Sequence, residues 1–439
     1  MFKKLIFKLK NKIWFVPGYY SLLSSILAAI SIIIDNKYIY NFQGVIPSLL
    51  MTRVDLAETI LSTLAAALLT MMTITFSTIM VVLTTYSSQF SPRTLEDFIN
   101  DRTTLRFLGI FMGGFIYCIL GLSFIKNNDN DKLVLSSGIS VIIAIICLSF
   151  FVYFIHHISI SIQVNRLIDR LGEDILKLVK KIETSNNSDD RIQSEPPKNI
   201  DKLNENKRIA IFSEKVGYIQ LIDDIGLLNL AINKNVLIRV EKMVGDYVTT
   251  NSNIISIWNN KGNIDEKEFL KYITLGSQRN MLWDIEFGLQ KIVEVALKAL
   301  SPGINDPNTA IKCIYKLGMI LTKIGGANLE NTYYYGEDGR LRLIFEDKSF
   351  NQLLYKTFYQ LRHYSSSDVS VMSSMLDALI LIAQENKKPL KDKVWDFSGY
   401  IIGGFKSDVL EPLDKDYINS KIRRLAYLTG NLGAVKYIE

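Results

Sequence analysis

Three cysteines and three histidines are all that this chain of 439 residues holds of the side chains that most readily bind metals or attack substrates. Cys118, Cys147 and Cys313 form no CxxC pair, and two of them fall in apolar runs, which argues against a disulfide framework or a structural zinc site. His156 and His157 are adjacent. On a helix they point about 100° apart and make a poor chelate, so an interfacial anchor or a pH-responsive pair fits them better. The chain has no P-loop, no GxGxxG turn, no HExxH helix and no GxSxG elbow, and Ser301 stands beside Pro302 without one. No enzyme, no metal and no cofactor is expected from these residues. The net charge is only +6, with no basic surface interleaved with aromatics, so nucleic acid is not an expected partner.

Charge is scarcest in the first third. Charged residues make up 21% of the chain and hydrophobic ones 48%, but four runs hold almost no charge: Trp14–Ile34, Ala57–Tyr86, Leu105–Ile125 and Val134–Ile155. Each reaches the roughly 20 residues that a bilayer requires, so the lipid bilayer is the first partner expected. No small-residue cleavage site follows MFKKLIFKLKNK, and the first run reads as an uncleaved membrane helix. Lys3, Lys4, Lys8, Lys10 and Lys12 precede it; Arg93, Arg102 and Arg106 lie between the second and third runs; Arg166, Arg170, Lys177, Lys180 and Lys181 follow the fourth. The opposite side offers Lys37, Arg53, Lys126 and Lys132. The positive-inside rule then makes both termini cytoplasmic.

The second run differs from the others. It carries Thr63, Thr70, Ser77 and Thr84 at seven-residue spacing, which keeps them near one face. Two readings stand: hydroxyls that let helices pack closely, or a weakly polar pore wall without fixed charge. In the second reading Ile79 and Leu83 supply an apolar gate that closes by dewetting. No Asp, Glu, Lys, Arg or His lies deep in any run, which leaves a proton relay or charged carrier site little support. After the run, Ser91-Pro92 turns the chain, and Thr94 with Asp97 resembles a capping box.

The fourth run keeps a helical pattern past the membrane through Ile160, Val164, Leu167, Leu171, Ile175 and Leu178, as if one rod entered the aqueous part. Residues 184–207 are polar and read as a linker. From Arg208 the residues turn β-branched between turn signals, which suggests about four short strands and a helix over Asp223–Asn233. Helices are expected over Arg279–Leu300, Phe350–His363, Asp368–Gln384, Val394–Gly404 and Asp414–Leu428, with a hairpin turning at Asp338-Gly339.

ALKALSPGINDPNTAIKC, Ala296–Cys313, is a stiff corner. Ser301-Pro302-Gly303 stops one helix. Asp306 is placed to cap a second, with Pro307 in its first turn and Gly325-Gly326 at its end near Ile324. Asn and Asp are ordinary turn residues, so the corner has a structural account. A polar cluster of Arg279, Asp284, Asn305 and Asp306 is the cytoplasmic ligand-site alternative.

SSQFSPR (Ser87–Arg93), DRTT (Asp101–Thr104), FIHHI (Phe154–Ile158), GYIQ (Gly217–Gln220), GDYV (Gly245–Val248), DIEFGL (Asp284–Leu289) and ALSPGINDPNTA (Ala299–Ala310) occur in this order. Together they resemble the uncharacterised bacterial membrane-protein family DUF2254 over nearly the whole chain. Asn308 departs from the bulky aromatic that the resemblance leads one to expect. The resemblance implies four helices in a bacterial inner membrane and a cytoplasmic tail, and it supplies no activity and no catalytic residues.

The expected fold class is a membrane protein with a four-helix transmembrane part plus a cytoplasmic α+β region, itself a small β-barrel-like module and a helical domain. The expected divisions are 1–165 for the membrane domain, 166–206 for a helical extension and linker, 207–262 for the β-rich module and 263–439 for the helical domain. The function expected is that of a homo-oligomeric channel lined by the second helix. The alternative is a membrane-anchored sensor whose cytoplasmic domain binds a ligand or partner.

Overall fold

A computed structural model describes residues 14–38, 47, 50–94, 101–125, 133–189, 191–193, 195, 197, 208–258, 264–327, 329, 331–346, 348–406, 408 and 410–439. The N-terminal lysines, Lys126, Lys132, Asp97 and much of the expected linker lie outside them. The chain divides into two compact units, Met1–Arg166 and Leu167–Glu439.

The first unit holds four helices long and apolar enough to span a membrane. They are α1 (Phe15–Ile33), α2 (Val54–Thr85), α3 (Arg102–Phe124) and α4 (Ser136–Ser161). α3 is the centre, packed against the other three. Its glycines explain why. A Cβ on Gly113 would meet Ser24 Oγ at 2.5 Å, and one on Gly109 would meet the Tyr20 ring at 2.9 Å, so α1 approaches closely. Gly114 on another face lies against Cys147 and Leu68, where α4 and α2 come in. Small residues permit such approach where apolar surface alone gives no drive to associate.

Each end of this unit is tied by polar groups distant in sequence. At one end Thr52–Arg53 (β1) pairs with Leu133–Val134 (β2), and the buried Asp35 carboxylate accepts from Leu135 N at 2.7 Å and Ser136 N at 3.1 Å. It satisfies the first turn of α4, whose N–H groups water does not reach. Tyr117 Oη lies 3.1 Å from both Ser31 Oγ and the Ser136 carbonyl. At the other end α2 closes in a wide turn over Tyr86–Phe90, and Ser91 is extended before Pro92.

The expected single rod is not continuous. α4 stops at Ser161, and α5 (Val164–Ser188) begins after two residues. Tyr86 Oη donates to the Ser161 carbonyl, the acceptor that the next helical turn would use, and Gln163 N turns to Ile160 O instead.

In the second unit α5 buries the apolar stripe Leu167, Ile168, Leu171, Ile175 and Leu178. Gly172 lies under the Lys316 stem and Ile175 against Gly288. The strands are β3 (Ile192–Gln193), β4 (Ile209–Phe212), β5 (Gly217–Ile222), β6 (Leu237–Val240), β7 (Tyr247–Val248), β8 (Asn253–Trp258), β9 (Ile273–Gly276), β10 (Asn331–Tyr335) and β11 (Leu341–Glu346). They form a six-stranded sheet in the order β3-β10-β11-β6-β8-β4 and a three-stranded sheet β7-β5-β9, with no closed barrel among the described residues. The barrel-like expectation is unsupported for a physical reason: the hairpin β10–β11, turning at Gly339 with φ +69°, joins through a parallel pairing of β11 with β6. α6 (Asp224–Lys234) covers the sheet, capped by Asp223 through Gly226 N at 2.9 Å.

The helices that follow are α7 (Glu266–Leu270), α8 (Ile285–Ala299), α9 (Pro307–Ala327), α10 (Phe350–Tyr364), α11 (Val369–Glu385), α12 (Lys388–Ile402) and α13 (Pro412–Thr429). α11 is their core, with Val371, Met375, Leu376, Leu379 and Ile382 fully buried. α9 runs through Gly325-Gly326 instead of ending there. A Cβ on Gly325 would stand 2.3 Å from Leu390, so this glycine permits close packing and not a cap.

Candidate functional site

Thr63, Thr70, Ser77 and Thr84 all lie on the exposed side of α2. Three hydroxyls donate back into the helix: Thr63 to Thr59 O at 2.7 Å, and Thr70 to Ala66 O and Thr84 to Met80 O at 2.9 Å. Such bonds spend the hydrogen inward and leave oxygen lone pairs facing out. Ser62, Ala66 and Thr73 extend the stripe, and bulky apolar residues flank it: Leu69 and Phe76 on one side, Ile74 on the other.

Ile79 and Leu83 do not belong to that face. Both are half-buried. At about 100° per residue Ile79 points roughly 160° from Ser77, and Leu83 about 100° from Thr84. They cannot gate a path that the hydroxyls line. Two large apolar residues belong to the stripe: Val81, 64% exposed and in line with Thr63 at about 100° per residue, and Met80, 59% exposed and close to Thr73 and Thr84.

The exposed faces of α1 and α4 are different. α1 shows Leu22, Leu23, Ile26, Leu27, Ile30 and Ile33; α4 shows Val141, Ile142, Ile145, Ile146, Leu148 and Val152. These are lipid-like surfaces, with Ser149 the hydroxyl exposed mid-way along α4.

The motifs of the first unit meet at the end where α2 finishes. Asp101 caps α3 through Thr104 N at 3.3 Å and pairs with His157 Nε2 at 2.9 Å. Phe107 packs on Phe154 and on the His157 ring. His157 is thus a tie between α3 and α4, while His156 is exposed.

The second unit gathers GYIQ, GDYV and DIEFGL around one ion-pair network. Arg279 grips Asp284 in a fork, Nε to Oδ2 at 2.7 Å and Nη2 to Oδ1 at 2.8 Å. Asp284 also caps α8 through Phe287 N at 2.9 Å and is 3% exposed. Glu286 accepts from Lys348 at 2.6 Å and from Lys356 at 3.0 Å. Burial pushes the Glu286 carboxyl up, but the two ammonium groups outweigh it and hold it below its ordinary value. Burial likewise disfavours the Arg279 charge, yet the Asp284 and Glu286 carboxylates raise it. Gly245, at φ +92°, fits because a Cβ there would stand 2.3 Å from Asp284 Oδ2.

Asn305 and Asp306 are not in this network. They follow the far end of α8, whose 15 residues span about 22 Å from Asp284. Asp306 caps α9 through Thr309 N at 3.1 Å, and Asn305 takes the left-handed conformation at φ +50°. The expected four-residue cluster therefore separates into an ion-pair site and a helix corner. Sequence reading missed Lys348 and Lys356, which lie more than 60 residues from Glu286 with no local signal to join them. Among the described residues no group of three or more His, Cys, Asp or Glu is placed to hold a metal ion.

A family model described as predicted membrane protein (DUF2254) matches residues 10–380, and the chain belongs to that family. It is 28% identical over 342 residues to an uncharacterized protein of Mycobacterium bovis and to one of Mycobacterium tuberculosis, which covers 76% of this chain. The match spans 65% of the length of those relatives. No solved structure matches the chain.

Proposed function

We propose that this member of the family is a homo-oligomeric channel of the bacterial inner membrane. Copies of α2 surround a shared axis, and Thr63, Thr70, Ser77 and Thr84 line the path. The single observation behind this reading is the contrast among exposed helix faces: α1 and α4 expose mainly large apolar residues, and α2 exposes a stripe of hydroxyls and alanines set among apolar residues such as Leu69, Phe76, Ile74 and Val81. A face of that kind suits another protein surface or water better than lipid tails. With their hydrogens turned inward, the threonines offer oxygen lone pairs and no fixed charge, which favours cations with weak selectivity. Met80 and Val81 are the groups that would narrow and dry such a path. Arg93, Arg106, Arg166 and Arg170 against Lys37 and Arg53 favour a cytoplasmic second unit.

The test pairs mass with flux. Full-length protein in lipid nanodiscs should give one species of about four copies or more. In liposomes it should pass potassium, and Thr70→Leu with Ser77→Leu should cut that flux more than about tenfold without changing the mass. A monomer overturns the shared pore.

A second reading, the membrane-anchored sensor, draws on α5. This helix follows α4 in the chain after two residues and is bound into the second unit by Gly172 under Lys316 and by Asp169 with Lys316 at 2.7 Å. A monomer in nanodiscs would favour it.

A further inference from the structure

The helices of the second unit share two ends. At one end a cleft gathers Ile182 of α5, Ile285 of α8, Ile324 of α9, Phe350 of α10 and Lys387 before α12. Glu385, at the close of α11, lines the same cleft. Lys388 donates to the Thr429 carbonyl at 2.7 Å, which brings the close of α13 beside it. From there each helix runs about 21–27 Å at 1.5 Å per residue. The opposite end therefore collects the starts of α5, α9, α11 and α13 and the closes of α8, α10 and α12. Contacts along the way agree. Ile175 meets Gly288, Gly172 meets Lys316, and Asp169 pairs with Lys316 at 2.7 Å. Ile175 back to Val164 and Gly288 on to Ala299 are equal stretches of helix, so the close of α8 is level with the first residue of α5.

The chain itself ties that opposite end to the membrane. α5 begins two residues after α4 closes at Ser161, so Val164 lies within about 10 Å of the end of a membrane span. Three connections turn at this end, and each carries an exposed large apolar residue. Ile304, between α8 and α9, is 37% exposed; Tyr364, closing α10, 67%; and Leu413, in the first turn of α13, 81%. Ile304 is nearest, because α8 and α9 both touch α5. The ALSPGINDPNTA corner holds it rigidly: Asn305 N donates to Ser301 O at 2.9 Å and Asp306 N to Ala299 O at 2.8 Å. Pro302 to Asn305 are exposed, and a Cβ on Gly303 would meet nothing within 4 Å. Exposed apolar residues occur elsewhere on the unit, Tyr427 at the far end of α13 among them. Position is what sets these three apart. Arg166 and Arg170, exposed where α5 starts, make no ion pair among the described residues. Asp306, Asp368 and Asp414 at this end serve as helix caps.

We propose that this end of the second unit rests on the bilayer surface. Ile304, Tyr364 and Leu413 enter the headgroup layer, and Arg166 and Arg170 meet lipid phosphates. Aliphatic and aromatic side chains favour that layer, and basic ones its phosphates. Each contact alone is weak, but the covalent link to α4 makes it intramolecular, so little freedom is left to lose. The corner between α8 and α9 thereby gains a role beyond joining two helices. The contact depends on the membrane spans and not on the channel reading.

The test places a bimane label on Ile304→Cys, Leu413→Cys or Tyr427→Cys in the full chain, where the native cysteines are buried. The protein sits in nanodiscs of phosphatidylcholine and phosphatidylglycerol, with or without a lipid that carries a nitroxide on its headgroup. Quenching by that lipid should be about threefold or more stronger at Ile304→Cys and Leu413→Cys than at Tyr427→Cys. Aqueous iodide should show the reverse order. Thermal unfolding like that of the unaltered chain verifies that each exposed substitution keeps the fold. The two positions report separately, so one variant that fails to fold leaves the other decisive. Headgroup quenching at either position no greater than at Tyr427→Cys overturns the proposal. A label hidden from both quenchers also overturns it, since that label lies against protein, as it would against a second copy.

Discussion

The two units satisfy their polar groups over different distances. In the first, the hydroxyls of α2 turn back four residues to their own helix, as Thr70 does to Ala66 O and Thr84 to Met80 O. In the second, Arg279, Asp284, Glu286, Lys348 and Lys356 join segments up to 77 residues apart through charge. A bilayer removes water as a competitor, so a weak donor pairs with the nearest carbonyl and fixed charge is left out of the span. In an aqueous unit charge is affordable where it is paired and buried. The lesson for function follows. In the first unit the informative surface is the face that packing leaves over; in the second it is the network that pairing builds.

The comparison is sharpened first at its largest effect. Asp284→Ala removes the forked partner of Arg279 and the cap of α8, leaving the guanidinium only the longer contact to Glu286 at 3.4 Å, which should cost about 2–4 kcal/mol. Chemical denaturation followed by tryptophan emission should show the second unit unfolding early, and Asp284→Asn should recover part of the loss.

Acid should act on the same network. The folded-state pKa of Glu286 lies below its ordinary value of 4.5, so its contribution is complete above that value and is lost as pH falls through the lower, folded one. Thermal unfolding between neutral pH and pH about 3 should show this loss, and Glu286→Gln should flatten it. An unchanged acid slope in that variant would place the sensitivity elsewhere.

Within α2 the two faces should respond oppositely. Thr75 is fully buried, and Thr75→Leu should overpack it at a cost of about 1–3 kcal/mol. Thr70→Leu, on the exposed face, should alter stability by no more than about 0.5 kcal/mol. Retention of fold in a detergent melting series checks both. A larger loss for Thr70→Leu than for Thr75→Leu would reverse the assignment of faces.

Much of the first unit was legible because a span is a composition signal. Trp14–Ile34 and Leu105–Ile125 lie within about three residues of α1 and α3 at every boundary. The stripe was legible as a period, but its exposure was not, since a period says which residues share a face and not what covers it. Ile79 and Leu83 were misplaced by hydropathy alone, although their offsets of two and six from Ser77 already put them on another face. The cap at Asp306 could be read from Asp-Pro and Thr309 nearby. Two kinds of feature could not be read. The parallel pairing of β6 with β11 joins residues about a hundred apart, and the Asp101–His157 tie spans two helices. Long-range pairing leaves no trace in a local window. Asn305 and Asp306 were grouped with Asp284 because distance along the chain hides the length of the helix between them.

The most direct measurement of the central claim compares α2 with α4 in the intact protein. The native cysteines are buried, which keeps the background low. Thr70→Cys, Ser77→Cys and Ile145→Cys would each be treated with a charged, membrane-impermeant methanethiosulfonate in nanodiscs. Only a thiol that meets water ionises and reacts. If the hydroxyl face of α2 lines a wetted path, Thr70→Cys and Ser77→Cys should label about tenfold faster or more than Ile145→Cys, which faces lipid. Equal, negligible labelling at all three positions would mean that α2 also faces lipid or dry protein, and would contradict the account.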